Sequence, residues 1–145
     1  MLHVFFYTLI TLLLLTISYW DIKKRKIPNS ILLCLFVIST LYITIQNENL
    51  FRFLLGMAMP SLILLVLNSL YKNYINNGDI KLLMVTGLLL GHPANLLIFV
   101  MSCILSIIFA IIYKTLKNKA LISLPFAPFI ALSIFVYKVF IFLIH

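Results

Sequence analysis

Six apolar runs, separated by short polar connections, constrain the fold of this chain more than any other feature of it. The runs lie at residues 2–19, 27–45, 50–70, 80–90, 94–113 and 124–144. A helix that crosses a bilayer needs about 20 apolar residues, and most of the runs approach that length. The run at 80–90 covers only about half of a bilayer at about 1.5 Å of rise per residue. We therefore predict an all-α polytopic membrane protein, a bundle of about six transmembrane helices.

The composition supports one membrane-embedded domain. Hydrophobic residues make up 64% of the chain and charged residues 10%, whereas roughly half of a soluble domain is apolar. Six spans use nearly all of the 145 residues, so we predict a single domain over residues 1–145. The net charge of +8 does not indicate a nucleic-acid partner, because the basic residues lie in short clusters between apolar runs and not along one soluble face.

The basic residues concentrate in alternate connections and so predict the orientation. Nine of the eleven follow the first run, flank the third connection or fill the fifth: Lys23, Lys24, Arg25, Lys26, Lys72, Lys81, Lys114, Lys117 and Lys119. Cytoplasmic loops carry an excess of lysine and arginine. We expect a multi-pass protein of the cell inner (plasma) membrane with its N-terminus outside and these three connections in the cytoplasm.

The chain has only three acidic residues, and two of them stand at the predicted cytoplasmic face. Asp21 follows the first apolar run and Asp79 precedes the fourth, whereas Glu48 lies in an external loop. Two neighbouring carboxyl groups cannot both ionise easily, so one holds a proton while the other activates water against a carbonyl group. The helix dipole favours Asp79 as the ionised partner. For each acid alone, helix capping by Asp79 or charge compensation of Asp21 by its basic neighbours stays an alternative.

Other nucleophile or metal sites find little support. His3, His92 and His145 fall on the external side of the predicted topology, so a Ser/His or Cys/His site at the cytoplasmic face has no base. Cys34 and Cys103 stand inside apolar runs and are predicted to pack there as small buried side chains.

Local sequence predicts how the two acidic motifs are shaped. Pro28 is suited to open the second helix, since its missing N–H has no partner in a first turn. Gly78 is expected to allow a tight turn directly before Asp79, and Asn76 to tolerate left-handed backbone in that turn. Gly87 and Gly91 stand one helical turn apart, a spacing that permits close helix approach and that also arises by chance.

Three segments in order resemble the type IV prepilin peptidases, membrane aspartic peptidases of the GxGD class, over most of the chain. They are Asp21 with Arg25 and Ile27-Pro28-Asn29, then Gly78-Asp79-Ile80-Lys81-Leu82, then Pro125-Phe126-Ala127-Pro128-Phe129. The resemblance implies that Asp21 and Asp79 are the catalytic pair. It implies supporting roles for Arg25, Pro28, Asn29, Gly78 and Lys81, and no metal or organic cofactor.

The same resemblance implies a substrate and a reaction. The substrate would be a prepilin or pseudopilin, cut at the cytoplasmic membrane face between its basic leader and its apolar helix. Asn76 stands where the GxGD pattern has its first glycine. Longer members carry a cysteine-paired cytoplasmic insertion and methylate the new N-terminus; this chain lacks the insertion, so we expect cleavage without N-methylation. The alternative is a non-catalytic membrane subunit or small transporter, although transporters place ionisable groups near the bilayer midplane.

Overall fold

The computed structural model describes residues 2–46, 49–70, 76–117 and 124–144, and these residues form helices and connections without any strand. In chain order the helices are α1 (Leu2–Lys24), α2 (Asn29–Gln46), α3 (Leu50–Leu70), α4 (Asn77–Leu90), α5 (Ala94–Lys117) and α6 (Ala127–Ile144). The all-α prediction is confirmed, as are the number and order of helices in this part of the chain. The predictions for Glu48, Lys72, Lys119 and His145 fall outside the described residues.

Two of the helices, α3 and α5, have the length and composition needed to cross a membrane. The arrangement with six spans stays a prediction, because α4 has only 14 residues. Large apolar side chains cover the outer surface of the bundle, including Leu33, Phe51, Leu65, Ile111 and Leu116. Soluble monomers rarely expose contiguous apolar surface on this scale, so the surface fits a protein surrounded by lipid. Cys34 also lies on this surface and is exposed, which corrects the prediction that both cysteines are buried.

The short helix α4 occupies the middle of the bundle. It packs against α2, α3 and α5, and ten of its 14 residues are buried. The other side of the bundle is formed by α6, which packs against α1 and α5. Because neighbouring helices cover α4, its apolar residues serve the core more than the lipid. This central position explains how a run too short to span a bilayer alone fits among longer helices.

Glycines allow α3 and α4 to touch through their backbones. A Cβ atom added to Gly87 would lie 2.5 Å from the Cα atom of Met57, and one added to Gly56 would lie 2.5 Å from the carbonyl carbon of Gly91. The close approach that the spacing of Gly87 and Gly91 permits is therefore present at Gly87, with Gly56 as its partner on α3. Gly91 plays a different part, because it ends α4 with a positive φ of 69° and donates its N–H to the Gly87 carbonyl at 2.9 Å.

A buried asparagine joins three helices beside this contact. Asn95, at the start of α5, is fully buried, and its Nδ2 donates to the carbonyl oxygens of Gly56 at 2.8 Å and Leu83 at 3.0 Å. Its Oδ1 accepts the Thr86 hydroxyl at 3.0 Å. The Gly56 carbonyl needs such a donor because the residue four positions later is Pro60, which has no N–H to offer. The amide thus satisfies a carbonyl that the α3 proline leaves open.

Candidate active site

Both predicted catalytic acids are buried at the same end of the bundle. Asp21 is 2% exposed in the last turn of α1, and Asp79 is 8% exposed in the first turn of α4. Each stands just outside an apolar run, at the end of residues 2–19 and before residues 80–90. Asp21 also contributes by its charge to the raised pKa of Asp79, so the two carboxyl groups lie within electrostatic reach of each other.

The N-terminus of α6 holds Asp21 in place. The backbone N–H of Ala127 donates to Oδ2 of Asp21 at 3.0 Å, and the backbone of Phe126 also acts to lower the pKa of Asp21. The first N–H groups of a helix have no partner within it, and the positive end of its dipole favours an anion. Burial raises the pKa of Asp21, while the Ala127 N–H, the Arg25 charge and the Phe126 N–H each lower it.

The pKa of Asp79 is raised, as that of Asp21 is, but none of the described neighbours of Asp79 lowers it. Burial, and then the charge of Asp21, raise its pKa from 3.8 to about 7. Its Oδ1 atom is buried and has no hydrogen-bond partner among the described residues. A helix N-terminus stabilises an anion by about 0.3–1 kcal/mol, whereas a change in pKa from 3.8 to about 7 corresponds to about 4 kcal/mol. The raised pKa of Asp79 therefore opposes the prediction from the helix dipole and favours Asp79 as the partner that holds the proton.

The supporting residues of the two motifs contact each other. Lys81 Nζ donates to Oδ1 of Asn29 at 3.2 Å, and a Cβ atom on Gly78 would lie 3.2 Å from the Cβ atom of Ile27. Pro28 stands immediately before α2, and its carbonyl accepts the N–H of Leu32 at 3.3 Å. The start of α2 therefore packs directly onto the start of α4, so that the Asn29 and Lys81 motifs form one assembly.

The backbone before Asp79 differs from the predicted turn. Asn76 has extended dihedral angles, φ −70° and ψ 128°, and is the N-cap of α4. Gly78 lies inside α4, and its small size leaves room for the Ile27 side chain. The N–H of Asp79 donates to the Asn76 carbonyl at 3.0 Å. The predictions of left-handed backbone at Asn76 and of a tight turn at Gly78 are therefore wrong, and the cap is Asn76 and not Asp79.

Two contributors to the site escaped the sequence analysis. One is the pair of backbone N–H groups at Phe126 and Ala127. Backbone groups cannot be recognised from residue types, although Pro125 and Pro128 indicate the start of a helix. The other is the left-handed conformation of Arg25, with φ 53°, which ends α1. Its N–H donates to the Asp21 carbonyl at 2.9 Å. Both fix where the first acid stands.

The remaining candidate chemistry lies elsewhere. His92 follows the C-terminal end of α4, and its N–H donates to the Arg52 carbonyl at 3.0 Å. Asp79 stands in the first turn of the same helix, so about 20 Å of helix separates it from His92, as predicted. No group of three or more His, Cys, Asp or Glu side chains that could hold a metal ion occurs in the part of the chain that the structure describes.

Comparison with known proteins gives one match. A protein-family model described as the type IV leader peptidase family matches residues 8–111. The matched region includes both acids and the residues that support them, and it ends before α6. No curated protein and no solved structure matches the chain.

Proposed function

Because this chain belongs to the type IV leader peptidase family, we propose that it is an aspartic endopeptidase of the membrane that removes the basic leader from prepilin or pseudopilin substrates. Membership makes the protein a peptidase, and hence a hydrolase. The catalytic residues, the substrate and the site of cleavage are the proposal. Its main support is the burial of Asp21 and Asp79 at one end of the bundle, with the charge of one raising the pKa of the other.

The surroundings of the two acids suggest their roles. Asp21, with backbone donors and Arg25 beside it, acts as the base that takes a proton from water. The water oxygen bonds to the scissile carbonyl carbon while Asp79 gives its proton to the carbonyl oxygen. When the tetrahedral intermediate collapses, the C–N bond breaks, the leaving amine takes the proton from Asp21, and Asp79 recovers its own.

The Oδ1 atom of Asp79, which has no hydrogen-bond partner among the described residues, fits this role. A buried polar atom without a partner is uncommon in folded proteins and calls for an explanation. In the proposed reaction the carboxyl group of Asp79 meets its partner only when the scissile carbonyl arrives. Oδ1 of Asp79 therefore marks the place where the substrate carbonyl is expected.

The surface around the site supports a location at a membrane interface. Lys24 Nζ lies 4.1 Å from the ring centre of Trp20, and Lys23 Nζ donates to the Tyr19 hydroxyl at 3.1 Å. Aromatic residues with lysine beside them are typical of the boundary between lipid and water. We propose that this boundary is the cytoplasmic one, and that the basic residues there face anionic headgroups while the leader approaches the acids from the cytoplasm.

Coexpression with candidate prepilins tests the proposal. We expect Asp21→Asn and Asp79→Asn each to abolish cleavage, and the double variant to cost little more than either single change, because the two groups act as a unit. Glu48→Gln is the matched control, since it makes the same chemical change at the third acidic residue and should leave cleavage intact. Membrane insertion is measured in parallel.

The products distinguish the finer parts of the proposal. Mass spectrometry of the mature substrate should show cleavage directly before its apolar helix and an unmodified N-terminus, as the sequence predicts. Full cleavage by either asparagine variant would exclude that residue from the chemistry. If the wild-type chain processes none of its prepilin candidates, the alternative of a non-catalytic membrane subunit is favoured.

A further inference from the structure

Asn76 makes hydrogen bonds to both of the helices that carry the acids. Its Oδ1 accepts the N–H of Gly78 in the first turn of α4, and its Nδ2 donates to the Arg25 carbonyl at the end of α1, each at 3.4 Å. Both contacts are longer than the usual range of about 2.7–3.2 Å for N–H···O bonds, so neither contributes much stability alone. Their geometry is the informative part, because one short side chain reaches two helix ends of opposite polarity.

The Arg25 carbonyl can accept this bond because of how α1 ends. Arg25 takes left-handed backbone, with φ 53°, and its N–H closes the last turn on the Asp21 carbonyl. The last carbonyls of a helix have no partner within it. The end of α1 therefore presents an acceptor four residues after Asp21, and Asn76 presents a donor three residues before Asp79.

We propose that Asn76 is a positioning residue, whose side-chain amide links the end of α1 to the start of α4 and so sets the spacing between Asp21 and Asp79. The inference rests on the proposed function of the two acids. An amide suits this role because it carries its donor and its acceptor on separate atoms. A glycine, which the GxGD pattern has at this position, supplies neither.

Linking α1 to α4 is a different role from capping α4, and two substitutions distinguish these roles. Asn76→Ser keeps a good neutral N-cap for α4, but its single hydroxyl oxygen replaces two separate atoms and does not serve both helices. Asn76→Gly removes both hydrogen bonds. Asn77→Ser is the matched control: it makes the same change at the neighbouring exposed asparagine.

A change in the spacing between the acids should change the pKa of Asp79, which a simple loss of stability does not do. Among the described residues, Asp21 is the charge that contributes to the raised pKa of Asp79, and a looser link lets the two carboxyl groups move apart. Two other charged residues belong to the same motifs. Arg25, directly after α1, acts on Asp21, and Lys81 of α4 donates to Asn29 of α2. Of the other packed helices, α3 carries Arg52 in its first turn, and α5 carries Lys114 and Lys117 near its end. None of these charged residues contributes to the raised pKa of Asp79.

The first measurement is cleavage of a prepilin by the full-length protein in membranes, as a function of pH. We expect Asn76→Ser and Asn76→Gly to lower kcat by roughly three- to tenfold with little change in KM. We also expect the alkaline limb of the pH profile to move to lower pH in both variants and to stay in place in Asn77→Ser. Wild-type behaviour of Asn76→Ser would show that Asn76 only caps α4, and would overturn the proposal.

The second measurement needs no activity. Infrared titration of the Asp79 carboxyl group, identified by its loss in Asp79→Asn, gives its pKa in the wild type and in each variant. A lower pKa in Asn76→Ser and Asn76→Gly, with none in Asn77→Ser, supports the link even if no prepilin is cleaved and the proposed function fails. An unchanged pKa in both Asn76 variants overturns the link even if the wild type is an active peptidase.

Discussion

Asp21 and Asp79 carry the same carboxyl group and differ in what surrounds it. Asp21 receives backbone hydrogen bonds from the start of α6 and the field of Arg25. Asp79 has a buried oxygen without a partner among the described residues and faces the charge of Asp21. Pairs of titratable groups whose surroundings separate their pKa values are a reliable pointer to acid and base roles. At this scale, burial and neighbouring groups set the pKa of each carboxyl group, whereas the residue type is the same.

The first prediction concerns the pH dependence of cleavage. The proposed reaction needs Asp79 protonated, and its pKa is raised to about 7, so kcat/KM should fall as the pH rises through about 7. Because Arg25 lowers the pKa of Asp21, Arg25→Gln should move the acid limb to higher pH. The acid and alkaline limbs of the pH profile report the titration of the two acids together. They are measured from cleavage rates between about pH 4 and 9. Activity that keeps rising through pH 9 would contradict the assignment of Asp79 as the acid.

The second prediction concerns stability. The pKa of Asp79 is higher in the folded protein than its ordinary value of 3.8, so its contribution is full below about pH 3.8 and is lost as the pH rises through about 7. Above that pH the buried carboxylate costs up to about 4 kcal/mol. Asp79→Asn does not titrate. Its free energy of unfolding, relative to that of the wild type, should therefore be larger at pH 8 than at pH 5, which means that the variant is relatively more stable at pH 8.

Thermal unfolding in detergent at both pH values checks this prediction. Glu48→Gln serves as the control and should show no such dependence on pH relative to wild type. A stability difference between Asp79→Asn and wild type that stays constant from pH 5 to pH 8 would mean that Asp79 titrates at its ordinary pKa in the folded protein.

At the scale of helices, the junction of α3, α4 and α5 shows how a proline is accommodated. Pro60 leaves the Gly56 carbonyl without its usual intrahelical donor, and Asn95 of α5 supplies one at 2.8 Å. The glycine contact between Gly56 and Gly87 brings the backbones close enough for the amide to reach α3 and α4 together. This junction fixes α4, and with it the position of Asp79.

The third prediction is a double-mutant cycle at this junction. Asn95→Ala should destabilise the protein by about 1–3 kcal/mol, because it leaves buried carbonyl groups unpaired. Pro60→Ala restores an N–H that can bond the Gly56 carbonyl within α3. Part of the Asn95→Ala loss should therefore disappear in the Pro60→Ala background, giving a coupling energy of about 0.5 kcal/mol or more. Strictly additive losses in thermal unfolding would show that the Gly56 carbonyl does not link the two residues.

Sequence alone predicted the helices better than it predicted their ends. Long apolar runs place six helices because lipid-like composition over about 20 residues leaves few alternatives. The prediction for the loop before Asp79 is wrong because glycine also serves where space is short: Gly78 is helical and makes space for Ile27. The support of Asp21 by Ala127 was not predictable, since it comes from a backbone N–H 106 positions away.

At the scale of the whole molecule, the two ends of the bundle have different chemistry. One end gathers the last turn of α1 and the first turns of α2, α4 and α6, with the acids and the Asn29–Lys81 contact. Beyond the other end of α4, the Arg52 side chain donates to the His92 carbonyl at 3.1 Å. The lysine and aromatic pairs on α1 lie at the acidic end.

The fourth prediction assigns these ends to the two sides of the membrane. Leu50, in the first turn of α3, and Leu116, in the last turn of α5, are both exposed. In a chain whose Cys34 and Cys103 are replaced by alanine, a membrane-impermeant maleimide should label Leu50→Cys from the outside. It should label Leu116→Cys only in inverted vesicles. The opposite pattern would place the acids on the external face and remove the support for a cytoplasmic cleavage site.

The hydrogen bond from Ala127 to Asp21 has a consequence for the order in which the protein matures. Ala127 follows both acids in the chain, so a growing polypeptide acquires Asp21 and Asp79 well before the group that steadies Asp21. A ribosome that has just released α5 into the membrane has made a protein with both acids and an incomplete centre. The surroundings of Asp21 are therefore complete only after the start of α6 has been made and has joined the fold.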